Sequence, residues 1–176
     1  VCCMYAIKEA VIAKEHHPEV EPTIFYMDIR AHGKEFDLYY ERAKKDYGVR
    51  FIRSMVSRVA ERPKSKNLLL TYIDSEGRPK EEEFDLVVLS VGLTPSQGAK
   101  ALAQKLGLEL NPYGFCKTEE FSPLQTSREG FYVCGAFQGP KDIPETVAQA
   151  SGAVAAASSL LSEVRGTLTR KKEYPE

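Results

Sequence analysis

Apolar positions along the chain alternate between helical and strand spacing. Over residues 4–16, Met4, Ile7 and Val11 recur at helical spacing with Lys and Glu between them, which predicts a surface helix packed on one face. Pro18 and Pro22 end it. The run TIFYMDI, residues 23–29, is short and rich in β-formers, so a buried strand is expected there, with Asp28 near its end. Helical spacing returns over residues 34–47 through Phe36, Tyr39, Tyr40 and Ala43, and Gly48 stands where a helix-ending glycine belongs. A strand over residues 49–52 follows. The order helix, strand, helix, strand implies parallel pairing through a crossover, and matches the tail of a βαβ domain whose first strand lies outside this sequence.

From residue 57 to residue 90 the period shortens. SRVAE, NLLLTYID and EEEFDLVVLSVG are separated by polar turns, which predicts an antiparallel meander. Residues 84–91 are nearly all apolar, as expected of a central strand buried on both faces. A short helix over residues 99–106 closes at Gly107, and Asn111-Pro112-Tyr113-Gly114 signals a tight turn. GFYVCG, residues 130–135, is expected to be a short buried strand. Asp142-x-x-Glu145 matches a capping box with Pro144 in the first turn, so an Ala-rich helix should run from there to about residue 164. The charged tail, residues 170–176, is expected to fray. The domain expectation is residues 1–95, residues 96–165 and a tail from 166.

Composition narrows the class. The 176 residues are 43% hydrophobic and 28% charged, with a formal net charge of −1, so disorder, fibres and a basic nucleic-acid-binding surface are poor matches. No apolar run approaches the ~20 residues of a membrane-spanning helix. The chain is expected to be soluble and cytoplasmic. Its four cysteines, Cys2, Cys3, Cys116 and Cys134, lack the spacing of a disulfide framework. Because the first residue is not methionine, the chain is expected to be processed or excised from something longer.

Two strand ends could face a ligand. FDLVVLSVGLTP brings Gly92 to the end of an apolar strand, where open α/β sheets bind ligands; a plain tight turn is the alternative. Residues 126–157 form a second case, in which a strand ending at Gly135-Ala136 precedes a helix whose amino terminus favours negative charge. Small residues Ala148, Ser151, Gly152, Ala155 and Ala156 let that helix approach either a sheet or a flat ring. Cys2-Cys3 could supply two thiolates to an iron–sulfur cluster or be an incidental pair, whereas Cys116 and Cys134 read as buried residues. The chain holds no C-x-x-C and no G-x-G-x-x-G, so a redox dithiol and a dinucleotide fingerprint lie elsewhere. Asp28 at a strand end is a weak ribose candidate, and His16, His17 and His32 have no ligand spacing.

A buried strand with a glycine–proline turn, a short helix, T-S-x-x-G-Φ-Y-x-x-G and then a small-residue helix resembles the carboxyl half of the FAD-dependent pyridine nucleotide disulfide oxidoreductases. Within that superfamily, VCCMYAIKEAVIAKEH, YGFCKTEEFSPLQTS and VCGAFQGPKDIPETVAQAS resemble the A subunits of the heterodisulfide reductases, over nearly the whole chain to about residue 161. The wider superfamily usually carries aspartate at the position of Ala136. The resemblance implies an α/β fold: an incomplete Rossmann-like three-layer lobe with an antiparallel β-meander, then the closing strand and helix of an FAD-binding domain. It implies that Gly135 and Ala136 line FAD, that Glu145, Thr146 and Val147 meet its pyrimidine edge, and that Lys8 is either near the ring or a solvated lysine. It also implies that Cys2 and Cys3 are ligands of a [4Fe–4S] cluster completed by cysteines upstream. The implied activity is electron transfer between flavin and clusters, serving disulfide reduction by a companion subunit. Implied partners are other heterodisulfide reductase-type subunits and ferredoxin or hydrogenase-type electron partners, with no nucleic acid and no membrane span. A non-catalytic assembly module and a different FAD- and NAD(P)H-dependent reductase are the alternatives.

Overall fold

In the computed structural model, which describes residues 1–165, the first helix forms where the sequence places it: α1 spans Cys2–His16. Its core face carries Ile7 and Val11, both buried. The strand β1, Thr23–Tyr26, pairs in parallel with β2, Arg50–Arg53, from Thr23↔Arg50 to Tyr26↔Arg53. The crossover between them is α2, Phe36–Lys45, whose buried Ala43 joins Val49, Ile7 and Val11 in one core. Met4, Ile24, Tyr40 and Phe51 wall that core. Helix α2 starts later than the expected residue 34 because Glu35 sits at φ 65°, a left-handed conformation that no helix propagates through. After α2 the chain reverses at Gly48, φ 66°, as expected.

The meander follows as β3 (Arg58–Glu61), β4 (Leu68–Ile73) and β5 (Pro79–Phe84), all antiparallel with β4 in the middle. Asp74 closes the β4–β5 turn by accepting the backbone N–H groups of Glu76 and Arg78, each at 2.9 Å. The backbone donor from Arg78, aided by the Arg78 and Lys80 charges, holds this carboxyl below its usual range. Arg50 ties β2 to the meander through an ion pair with Glu82, whose other oxygen accepts the Tyr72 hydroxyl at 3.0 Å. Phe25 packs edge-on against Tyr72, with ring centroids 4.9 Å apart, so β1 and β4 share an aromatic seam.

One expectation fails here. Residues 84–91 do not form a central buried strand: β5 ends at Phe84, and Leu86, Val88, Leu89 and Val91 are 69–84% exposed. Apolar content makes a strand only where a neighbour supplies a hydrogen-bond ladder, and among the described residues none pairs with this run.

Compactness divides the chain into units Val1–Gly92 and Leu93–Glu176. In the second unit, α3 (Ala99–Leu106) buries Ala99 and Ala103 and ends at Gly107, φ 68°. Asn111 builds the expected turn: its side-chain oxygen accepts the N–H groups of Tyr113 and Phe115 at 3.0 and 3.1 Å, with Gly114 at φ 84°. A hairpin that the sequence pattern did not predict follows, β6 (Thr118–Glu119) against β7 (Ser122–Thr126). Between Gly130 and Gly135, both at positive φ, the segment is extended at Cys134 but forms only the isolated bridge Gln125↔Tyr132 in place of a full strand. Glycine at both ends and the short length of the segment leave too few ladder positions. A single 3-10 turn, Gly135–Phe137, leads to α4, Ile143–Arg165. The charged tail of residues 170–176 lies outside the described residues. Among the described residues no helix is long and apolar enough to cross a membrane.

Candidate functional site

The candidate site is the junction between the extended segment and α4. Gly135 is buried at φ 68°, and a β-carbon built there would stand 2.9 Å from Cγ2 of Thr146. The strand end and the first turn of the helix therefore touch, and only glycine allows it. The capping box is formed reciprocally: Glu145 N donates to Asp142 Oδ1 at 2.8 Å, and Asp142 N donates to Glu145 Oε2 at 2.9 Å. Thr146 Oγ1 donates to the Asp142 carbonyl at 2.7 Å and tightens the same turn. Around this junction Ala136, Glu145 and Val147 are exposed, and Ile143 stands 79% exposed at the helix start. Exposed apolar side chains, Ala136, Ile143 and Val147, thus stand on the two segments that meet at a helix amino terminus.

Asp142→Ala removes the acceptor for Glu145 N. The expected loss is about 1 kcal/mol, with fraying confined to the first turn of α4. The denaturation midpoint and amide exchange at Glu145 and Thr146 check it.

The rear of α4 shows what its small residues do. A β-carbon at Gly152 would lie 2.6 Å from Leu124 Cδ1, so the helix rests on β7 there. Tyr132 reaches the same helix through its hydroxyl, which donates to the Ala156 carbonyl at 3.3 Å. At Gly152 the small side chain serves helix-on-hairpin packing, one of the two roles the sequence left open.

The sequence as a whole has relatives among known proteins. A profile of the pyridine nucleotide-disulphide oxidoreductases matches residues 6–157. The chain belongs to that family. It is 44% identical over 165 residues, 92% of its length, to the second iron-sulfur A subunit of the CoB–CoM heterodisulfide reductase of Methanopyrus kandleri, covering 25% of that protein. It is 47% identical over 161 residues, 90% of its length, to the iron-sulfur A subunit of the CoB–CoM heterodisulfide reductase of Methanocaldococcus jannaschii, covering 24%. A third relative, the A subunit of the H(2)/formate:CoB-CoM heterodisulfide,ferredoxin reductase of Methanococcus maripaludis, is 45% identical over 166 residues, 93% of this chain and 25% of its own length. The chain thus spans about a quarter of the length of these curated relatives.

Within this family frame, the residues singled out from the sequence fall into two groups. Gly135, Ala136, Glu145, Thr146 and Val147 come together at the α4 junction, with Gly135 and Thr146 in direct contact. Cys2, Cys3, Lys8 and Gly92 belong to the first unit. Lys8 is exposed on α1. Gly92 has φ 87° with open space around it, and nearby the Ser90 hydroxyl donates to the Cys2 carbonyl at 2.9 Å. Cys2 and Cys3 are half-buried in the first turn of α1, where successive side chains point about 100° apart.

The other two cysteines differ from each other. Cys116 is buried, as expected, and burial pushes its thiol above the ordinary range, which makes it an unreactive packing residue. Cys134 is exposed, contrary to the expectation of burial. The extended segment turns Val133 inward, bonded through its N–H to the Leu124 carbonyl at 2.9 Å, and the alternation of an extended backbone then turns Cys134 outward. Gln149, which accepts the Gly135 N–H at 2.9 Å, was not singled out from the sequence. Its only sequence signal is its position four residues after Glu145, on the same face of α4.

Proposed function

We propose that this chain is part of an FAD-dependent, electron-transferring oxidoreductase of the kind formed by the A subunits of the heterodisulfide reductases. In this reading, residues 1–95 are a nucleotide-binding-like lobe with its meander and residues 96–165 close an FAD-binding domain. The observation that carries it is the Gly135–Thr146 contact, which sets a strand end against a capped helix start beside the exposed Ala136 and Val147. The chemistry of that surface fits a flavin: apolar side chains suit a flat ring, and the helix amino terminus favours negative charge on its pyrimidine edge. Gly135 and Ala136 would line the ring, with Glu145, Thr146 and Val147 at its edge, and Lys8 and Gly92 are the flavin contacts proposed for the first lobe. Bound FAD supplies the electron-transfer chemistry. The residues of this chain shape the wall, keep water from one face and bias the charge that the wall tolerates.

An iron–sulfur cluster is a different matter. Cys2 and Cys3 are two thiols, and among the described residues no group of three or more His, Cys, Asp or Glu side chains could hold a metal ion. The residues present do not fit a cluster. In the proposed reading any cluster takes its remaining ligands from elsewhere in the longer protein. The names of the relatives, which carry iron–sulfur and ferredoxin, support electron partners of the ferredoxin or hydrogenase type and companion heterodisulfide reductase-type subunits.

The test is an anaerobic absorption spectrum of the natural full-length protein, with a redox titration of its flavin. Oxidised-flavin bands that bleach on reduction are expected, stoichiometric with the chain. Val147→Asp adds a carboxylate to the start of α4, opposing charge on the reduced ring, and should lower the midpoint potential by about 30 mV. A full-length protein that takes up no flavin overturns the reading. The alternative of a non-catalytic assembly module is favoured by the exposed run of Leu86, Val88, Leu89 and Val91, and a flavin-free protein that still assembles with companion subunits would establish it.

A further inference from the structure

We propose that a side-chain relay, Lys141–Gln138–Gln149, sets the strand end at Gly135, making Gln149 a positioning residue for the flavin wall; this deepens the flavin reading above and rests on it. A glutamine amide has a donor end and an acceptor end, and its direction is decided by its partners. A lysine ammonium can only donate. Lys141 Nζ lies 2.6 Å from Gln138 Oε1, so the oxygen end of Gln138 faces the lysine. The amino end of Gln138 then faces β6 and donates to Thr118 Oγ1 at 3.3 Å.

The same Gln138 oxygen lies 3.5 Å from Gln149 Nε2, which directs the amino end of Gln149 toward it. The carbonyl end of Gln149 is thereby turned to the Gly135 N–H, which it accepts at 2.9 Å. One half-buried cation thus determines the direction of two amides. The endpoint matters because Gly135 is buried, and a buried backbone N–H without a partner is costly. Gly135 is also the residue whose conformation places Ala136 beside the start of α4. With its N–H committed to Gln149, Gly135 offers a ligand no donor, and the wall presents the Ala136 side and the helix start instead. Turn the Gln149 amide over, and an N–H would face an N–H.

The experiment uses the natural full-length protein with Gln149→Leu, Lys141→Met and Lys141→Arg. Two quantities are read: the FAD dissociation constant, and the hydrogen-exchange rate of the Gly135 amide in flavin-free protein. Gln149→Leu and Lys141→Met should each raise the dissociation constant about tenfold and speed Gly135 exchange about tenfold, the scale of one lost hydrogen bond. Lys141→Arg keeps a donor and should retain wild-type values of both. If Gln149→Leu fails to fold, the Lys141→Met and Lys141→Arg pair decides alone, since Lys141 lies outside the buried core. Unchanged exchange and affinity in Lys141→Met, or losses in Lys141→Arg as large as those in Lys141→Met, overturn the relay. A wild-type protein without FAD overturns the flavin reading, while the exchange rates still judge the relay by themselves.

Discussion

Ile7→Ala is expected to destabilise the first unit by about 2–5 kcal/mol, the range for emptying a fully buried aliphatic site. Ile7 is 0% exposed, and among the described residues the buried core around it holds only Val11, Ala43 and Val49. These come from α1, α2 and the residue just before β2, so a cavity at Ile7 is bordered by three parts of the chain at once. Collapse onto it would require α1 to shift against β1 and α2 together. The rings of Tyr39, Tyr40 and Phe51 at the edge of the core are stiff and cannot flow inward. Urea denaturation, with the midpoint and slope compared between variants, measures the loss. A drop below about 1 kcal/mol would show that the core relaxes freely, contrary to close packing.

Gly135→Ala is the second large effect, with an expected loss of about 2–4 kcal/mol in the second unit. Two costs add. At φ 68° a β-carbon meets its own backbone, and the same carbon would stand 2.9 Å from Cγ2 of Thr146. Thr146 is β-branched and its hydroxyl is committed to the Asp142 carbonyl at 2.7 Å, so the methyl cannot swing away. Thr146→Ser deletes that methyl and retains the hydroxyl. In the Gly135→Ala background it should recover about 1 kcal/mol, with the backbone cost left in place. Thermal unfolding of the four members of this cycle separates the two costs. Flavin retention should fall with Gly135→Ala in the full-length protein, because displacing the strand end from α4 opens the wall on which the ring is proposed to rest.

The two effects show how unevenly the chain could be read in advance. The first core was legible: Met4, Ile7 and Val11 at helical spacing, then a β-rich run and a second helix, lead to α1, β1, α2 and β2 in parallel. Each of these signals is local, and one short βαβ arrangement satisfies them all. The capping box Asp142-x-x-Glu145 was legible for the same reason, since both of its hydrogen bonds close within four residues. Misreadings arose where burial depends on a neighbour. The run from Leu86 to Val91 has the composition of a central strand and stands exposed, and Cys134 has the character of a core residue and faces outward. The hairpin of β6 and β7 went unseen because its strands are short and carry Pro123, which weakens any strand signal.

For the candidate site the division is similar. Gly135, Ala136, Glu145, Thr146 and Val147 could be selected from the sequence because glycine, a capping box and a small-residue helix are local signals. Gln149, Gln138 and Lys141 could not be, because their order depends on which end of each amide meets which partner across the turn. By itself, then, the sequence determined the βαβ order, the meander, the helix caps and the family, all of which rest on periodicity, motif and short-range hydrogen bonding. Only the tertiary structure decided which apolar runs are buried, which cysteine is exposed, and how one lysine orients the amides behind Gly135. Those are matters of long-range pairing, and a residue's own chemistry does not specify its partner.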